Sequence, residues 1–378
     1  MKFVKGMGLV AAALLVSATA AMAMEESKLH FHGYGEVHYG SPKGSDVPKK
    51  SDPAQMDFHR MVLGWEYTFT DKIILNAEVD FEHSARDMEL EYVYIDFLMN
   101  PAFNLRAGAV LMPVGPLNEY HEPTLFYSVE RPYVQRTIIP TTWSEGGFGI
   151  FGGTESGLRY RFYVVSGLND KKFTAKDGIR GGRGKGNEAP SDQLAYVGRV
   201  EYVGPLNAGI SLYQGKGDAA NSGGNSEVSI VTGDLRFRKW GWDIQAVYAE
   251  VNIDDVANLN TLVPVVPCPT TVPASPCPTT GPLTGNKSIG EKLVGTTFEV
   301  AYRIKDKVVP FVRYEEFNTQ DEVPAGFTAD PKNDRKITTF GVAFYPIPDV
   351  AIKVDQEQWE NKFPEKGKRT NVGIAYMF

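Results

Sequence analysis

The chain has 378 residues, with 39 Lys and Arg against 46 Asp and Glu, a formal charge of −7. Binding a phosphate backbone needs a basic surface, so this balance excludes a nucleic-acid partner. The two cysteines, Cys268 and Cys277, lie in VPVVPCPTTVPASPCP without the CxxC spacing of metal or redox centres or the CxxCH of covalent haem, so no cofactor is expected. In an oxidising compartment they are expected to form a loop disulfide.

At the start stand Lys2 and Lys5, then an apolar stretch from Gly8 to Val16, then Ala21-Met22-Ala23. That order is the signature of a secretory signal at 1–23, too short for the roughly 20 residues of a spanning helix, so 24–378 is expected to work outside the cytoplasm. Removing 1–23 takes away two Lys and no acid, leaving 37 basic against 46 acidic residues, a charge of −9.

Period-2 alternation begins at Leu29 and recurs in sixteen segments. In the first, Leu29, Phe31, Val37 and Tyr39 oppose His30, His32, Tyr34, Glu36 and His38. In the second, Met61, Leu63, Trp65, Tyr67 and Phe69 form the oily face, and after the turn Thr70-Asp71 it resumes as Ile73, Leu75, Ala77, Val79 and Phe81. Opposite the latter stand Asn76, Glu78, Asp80 and Glu82, which a closed apolar core would not accept. The remaining strands fall near 89–99, 103–111, 146–153, 157–168, 193–203, 207–215, 227–238, 241–252, 291–304, 308–318, 335–345, 350–360 and 370–378.

Connections alternate without a break between tight turns and longer loops near 40–56, 83–88, 112–145, 169–192, 216–226, 253–290, 319–334 and 361–369. Short turns at one end and long loops at the other are the asymmetry of outer-membrane barrels. The expected fold is therefore all-β: a 16-stranded antiparallel transmembrane β-barrel of the bacterial outer membrane, in contact with its lipid. A soluble sandwich also alternates, but it does not need sixteen long strands with every tight turn at one end.

The phase assigns the lumen. Arg106, Arg159, Arg161, Arg199, Arg236 and Arg238, with Glu78 and Asp80 and, elsewhere on the wall, Lys353, Asp355 and Glu357, are expected to line a water-filled pore. Basic strands facing acidic ones would set a transverse field there. The loop PVGPLNEYHEPTLFYSVERPYVQRTIIPTTWSEGG carries Leu125, Phe126, Tyr127, Ile138, Ile139 and Trp143, more apolar surface than a free loop holds in water. It is expected to fold into the barrel as a constriction presenting Glu119, His121, Glu122, Glu130, Arg131 and Arg136, the alternative being a loop packed on a neighbouring subunit.

PVGPLNEYHEPTLFYSVERP followed by IIPTTWSEGGFG, with DFHRMVLGWEYTF, EVDFEH and ELEYVYIDF before it, resembles the phosphate-selective porin O and P family. The resemblance is strong over the first five or six strands and their loop, and beyond them lies mainly in architecture. It implies a sixteen-stranded barrel, a trimer, and an inward third loop. Phosphate-preferring members use a ladder of lumen Arg and Lys, which cannot be laid on this chain position by position. Resemblance to outer-membrane proteins also implies that the terminal Phe378 is read by the barrel-assembly machinery.

Other signals are weak. His30, His32 and His38 share a face, but no carboxylate or thiol is fixed beside them, so no metal is expected. The loop KKFTAKDGIRGGRGKG lacks GxxxxGK[ST] and is expected to be a mobile external loop. With no HExxH and no GxSxG, no enzyme is expected. The expected function is passive diffusion of small hydrophilic solutes or ions, with phosphate or other anions among the candidates. A barrel sheath for an electron-transfer cytochrome would need a lumen free of an inward plug, and a barrel enzyme would need Ser and His together on the lipid side.

Overall fold

The computed structural model describes residues 28–44, 54–186, 193–217, 226–262, 288–363 and 365–378. The signal at 1–23 and the pair Cys268 and Cys277 lie outside the described residues. Sixteen strands form one closed antiparallel barrel, each paired with its neighbours in sequence and the first with the last. They are β1 (Leu29–Gly44), β2 (Gln55–Thr70), β3 (Ile73–Glu82), β4 (Asp87–Asn100), β5 (Phe103–Leu111), β6 (Ser144–Gly153), β7 (Leu158–Ser166) and β8 (Leu194–Tyr202) in the first half. The second half holds β9 (Leu206–Lys216), β10 (Glu227–Lys239), β11 (Trp242–Ile253), β12 (Lys292–Tyr302), β13 (Val308–Glu322), β14 (Asp334–Ile347), β15 (Val350–Asn361) and β16 (Lys366–Met377). Among the described residues, two short α-helices, α1 (Val134–Thr137) and α2 (Val256–Leu262), lie in the connections.

Alternation places the side chains. On β16 and the residue after it, Val372, Ile374 and Phe378 point outward at 38%, 49% and 61% exposure, whereas Asn371 just before them and Ala375 between them are buried. On β7, Leu158 and Phe162 are exposed and Tyr163 is buried. The outer face is thus an apolar band, and the charged phase points into the barrel. The seam closes along Tyr34 to Gly44 against Met377 to Gly367, and the Gly33 and Phe378 backbones exchange bonds of 2.9 and 3.0 Å. It therefore begins at Gly33. Closure satisfies the backbone groups that an open edge would leave bare.

Some strands are longer at the long-loop end than alternation suggests, as where β1 runs on to Gly44 against Gly367, and two strand pairs are irregular. Glu36 pairs with Arg60 and Val37 with Phe58, so His59 is an extra residue on β2. Glu78 pairs with Tyr92 and Val79 with Leu90, so Glu91 is an extra residue on β4. Each bulge resets the phase and turns two consecutive side chains inward, His59 with Arg60 and Glu91 with Tyr92. At the opposite end the hairpin from β10 to β11 turns on Trp240 and Gly241, at φ 58° and 82°, the left-handed pair that a tight two-residue turn requires.

Candidate functional site: the lumen face and the segment between β5 and β6

The segment between β5 and β6, residues 112–143, makes its contacts with inward-phase side chains on many strands. On β15 three alternate residues grip it. Lys353 Nζ donates to the carbonyls of Pro123 and Ser128, the latter at 2.9 Å. Asp355 Oδ2 accepts from Val129 N at 2.6 Å, and Glu357 accepts from the Tyr133 hydroxyl at 3.1 Å. On β13, Arg313 donates to Ser128 Oγ at 2.6 Å, and Glu315 accepts from Val134 N at 2.9 Å. Ser211 of β9 accepts from Gly115 N at 3.1 Å, and Tyr127 donates to Asp243 of β11 at 2.5 Å.

Apolar packing accompanies these bonds. Met112, Val114, Val134, Ile138, Ile139 and Trp143 form one buried cluster with Tyr163, Tyr213, Ile230 and Phe317 of the wall. Burial of several such side chains stabilises the arrangement by roughly 1.5 to 3 kcal/mol each. The basic glycine-rich loop joins them: Arg180 donates to the Arg136 carbonyl at 2.7 Å, and Arg183 to the Thr141 and Thr142 carbonyls at 2.6 and 2.8 Å. The expectation of a mobile external loop there is corrected for residues 171–186, because its arginines cap carbonyls of the neighbouring segment.

The arginines foreseen as pore lining are neighbours on the wall, and most are paired. Arg106 forms two bonds to Asp96, at 2.7 and 2.9 Å. Arg161 meets Glu119 at 2.9 Å and Glu201 at 2.8 Å. Arg199 holds Asp234 through both terminal nitrogens, at 2.8 and 3.1 Å, and Glu201 at 2.9 Å. Arg236 and Arg238 share Asp243, at 2.7 and 3.1 Å. Arg159 is exposed and has no ion pair among the described residues. The expected transverse field is therefore reduced largely to short-range pairs, since each of these guanidinium groups except that of Arg159 sits beside a carboxylate. The acidic sector likewise holds a cation, Arg60, which reaches Glu36 at 3.0 Å, Asp80 at 3.3 Å and Glu82 at 3.1 Å. Glu78 is buried and bonded by the Tyr92 hydroxyl at 3.1 Å.

Of the loop residues named from sequence, Glu119 and His121 reach wall charges, His121 Nε2 lying 2.8 Å from Glu91. Glu130 meets Arg369 at 2.7 Å, His38 at 3.8 Å and Arg136 at 3.7 Å. Burial raises its carboxyl pKa, but Arg369, His38 and Arg136 outweigh it and hold the group well below the usual carboxylate range. Burial raises the Glu119 carboxyl above its ordinary value, against the opposing pull of Arg161. Glu122 is half-buried, and Arg131 is buried with Nε and Nη2 lacking a hydrogen-bond partner.

The three first-strand histidines do not converge: His30 is exposed, His32 lies 3.9 Å from Glu78, and His38 bonds Glu36 at 2.9 Å. His38 instead stacks on His59, with ring centroids 4.4 Å apart. Alternation missed Glu91 and His59, because both bulges break the period on which it relies.

Two cavities border the segment. One, of about 310 Å³, is lined by Tyr34, Glu78, Tyr92, Arg106, His121, Glu122 and Arg161 among others. The second, of about 280 Å³, is lined by Arg159, Arg199, Arg236 and Arg238 with Glu201, Asp234 and Glu299. The arrangement can hold water and small polar solutes against fixed charge of both signs.

No family model matches the chain. Among solved structures, it resembles OmpF of Salmonella typhi in complex with daunomycin (TM-score 0.62, 13% identity, 93% of this chain and 97% of that). It also resembles the anion-selective porin of Comamonas acidovorans (0.59, 12%, 93% and 100%). OmpT of Vibrio cholerae in its trimer form gives 0.55 at 12% identity, covering 93% and 99%. At such identities the likeness is one of fold. A protein of Aquifex aeolicus (strain VF5), described only as an uncharacterized protein, is 30% identical over 363 residues, 92% of this chain and 79% of its own length, and the chain belongs to the same family as that protein.

Proposed function

We propose that the chain is an outer-membrane porin that passes small hydrophilic solutes or ions by diffusion, making and breaking no bond. One observation carries this reading: a closed sixteen-stranded barrel whose outward phase is apolar and whose inward phase is charged. Such a surface is stable in hydrocarbon, where every backbone group must be paired internally, and a barrel of this strand number encloses an aqueous channel.

In this reading residues 113–146 are the constriction, supported by their bonds to β9, β11, β13 and β15. The constriction residues are Glu119, His121, Glu122, Glu130, Arg131 and Arg136. Charge selection falls to Arg106, Arg159, Arg161, Arg199, Arg236 and Arg238 against Glu78 and Asp80. With most arginines paired, Arg159 and the half-exposed Arg238 are the cations most available to a passing anion, phosphate included. A homotrimer agrees with the trimer form of a protein of similar fold. Contacts reaching so many strands leave little room for a cytochrome within the barrel.

The test is planar-bilayer recording of the purified protein across a salt gradient. Stepwise conductance, in threes for a trimer, supports the porin, and the sign of the reversal potential reports its charge preference. Folded protein that never conducts would end this reading.

A further inference from the structure

Beside the first cavity, the bulge on β4 turns Glu91 toward Glu78 of β3 and His121 of the loop segment, and the ligand-type atoms of all three lie within 4.8 Å of one another. His121 Nδ1 faces the Asn118 carbonyl at 2.7 Å. A carbonyl only accepts, so Nδ1 carries the proton, and in neutral imidazole Nε2 presents its lone pair. Nε2 lies 2.8 Å from Glu91 Oε1 without the alignment of a hydrogen bond and 2.9 Å from the Tyr34 hydroxyl, so a ring nitrogen and a carboxylate oxygen converge as two donors to one cation would. A second observation points the same way. Glu91 Oε1 belongs to a side chain 5% exposed, yet among the described residues has no hydrogen-bond partner and only His121 Nε2 as its ion-pair neighbour, while Oε2, at 3.2 Å, shares the Tyr34 hydroxyl with that nitrogen.

We propose that Glu78, Glu91 and His121 bind one divalent first-row transition-metal ion, which clasps the loop segment to β3 and β4. Two carboxylates and one imidazole whose far nitrogen is fixed by a carbonyl form the donor set and supporting contact that such ions favour. The cavity lined by Glu78 and His121 provides entry and room for a water ligand. Of the charges acting on Glu91, His121 comes first and Arg60 and Arg131 follow, Arg60 being already engaged by Glu36, Asp80 and Glu82. The assignment does not rest on conduction. A competing cluster exists at Asp57, His59 and His83, where Asp57 Oδ2 is 3.1 and 2.7 Å from the two Nδ1 atoms. There Arg60 Nη2 faces His59 Nε2 at 3.4 Å, so the proton belongs on His59 Nδ1 and bonds Asp57 without a metal.

The test is calorimetric titration of Zn2+ into EDTA-stripped full-length protein in detergent near pH 7. One saturable equivalent per chain is expected, weakened at least tenfold in E91Q and in H121N, and unchanged in D57N. X-ray absorption at the zinc edge of the unmutated protein, which needs no variant to fold, should report a single imidazole among oxygen donors. Absence of saturable binding would mean that His121 and Glu91 form only a protonated ion pair, and the proposal falls. Two imidazoles at the zinc, or binding lost in D57N and kept in E91Q, would overturn it equally.

Discussion

Replacing Asp355 by Ala removes one anchor of the loop segment at a defined point. The Val129 amide, on a residue 2% exposed, loses a charge-assisted bond of 2.6 Å, and Asn371 loses an acceptor at 2.8 Å. A buried N–H left without an acceptor costs about 1 to 3 kcal/mol, so about 2 kcal/mol is the expected weakening. That raises the equilibrium constant for detaching the segment about 30-fold. D355N keeps an acceptor oxygen and loses the charge, so about 1 kcal/mol and a fivefold change are expected. In single-channel records the Ala variant should show frequent excursions to a higher-conductance level, with Asn intermediate between it and wild type. If D355A folds and its dwell times match wild type, the segment is not held through β15.

Deleting Asn118 to Arg136 should raise conductance outright; unchanged conductance would mean that the segment lies outside the ion path. Replacing Arg199 by Met strands Asp234, which holds both terminal nitrogens of the buried guanidinium, and should destabilise the barrel by about 3 kcal/mol in urea unfolding. The double change with D234L should recover most of that loss, and no recovery would locate the cost elsewhere. Glu130 is held below the ordinary range by Arg369, His38 and Arg136, so its contribution is present above its unfolded pKa of about 4.3 and fades as pH falls below that. Loop excursions should therefore be constant from pH 7 to pH 5 and rise toward pH 3, and E130Q should show them at every pH; equal acid sensitivity in both would refute the assignment. Changing Arg159 and Arg238 to Glu should move the reversal potential toward cation preference, and an unmoved value would remove them from the selectivity path.

Strand number, order and outward face were legible in the sequence, because a period of two is local: Val372, Ile374 and Phe378 face outward whatever the rest of the chain does. Turn positions followed to within a residue: the turn read at Thr70-Asp71 falls at Asp71-Lys72, because Thr70 still belongs to β2. What the sequence could not give was the pairing of charges. Arg199 finds Asp234 across β9, and Lys353, Asp355 and Glu357 read as open wall until the loop meets them. Nor could it place Glu91 or His59, whose inward turn depends on a bulge set by the register of the adjoining strand. Alternation fixes which side a residue faces; only closure of the barrel and the path of the segment between β5 and β6 decide what it meets there.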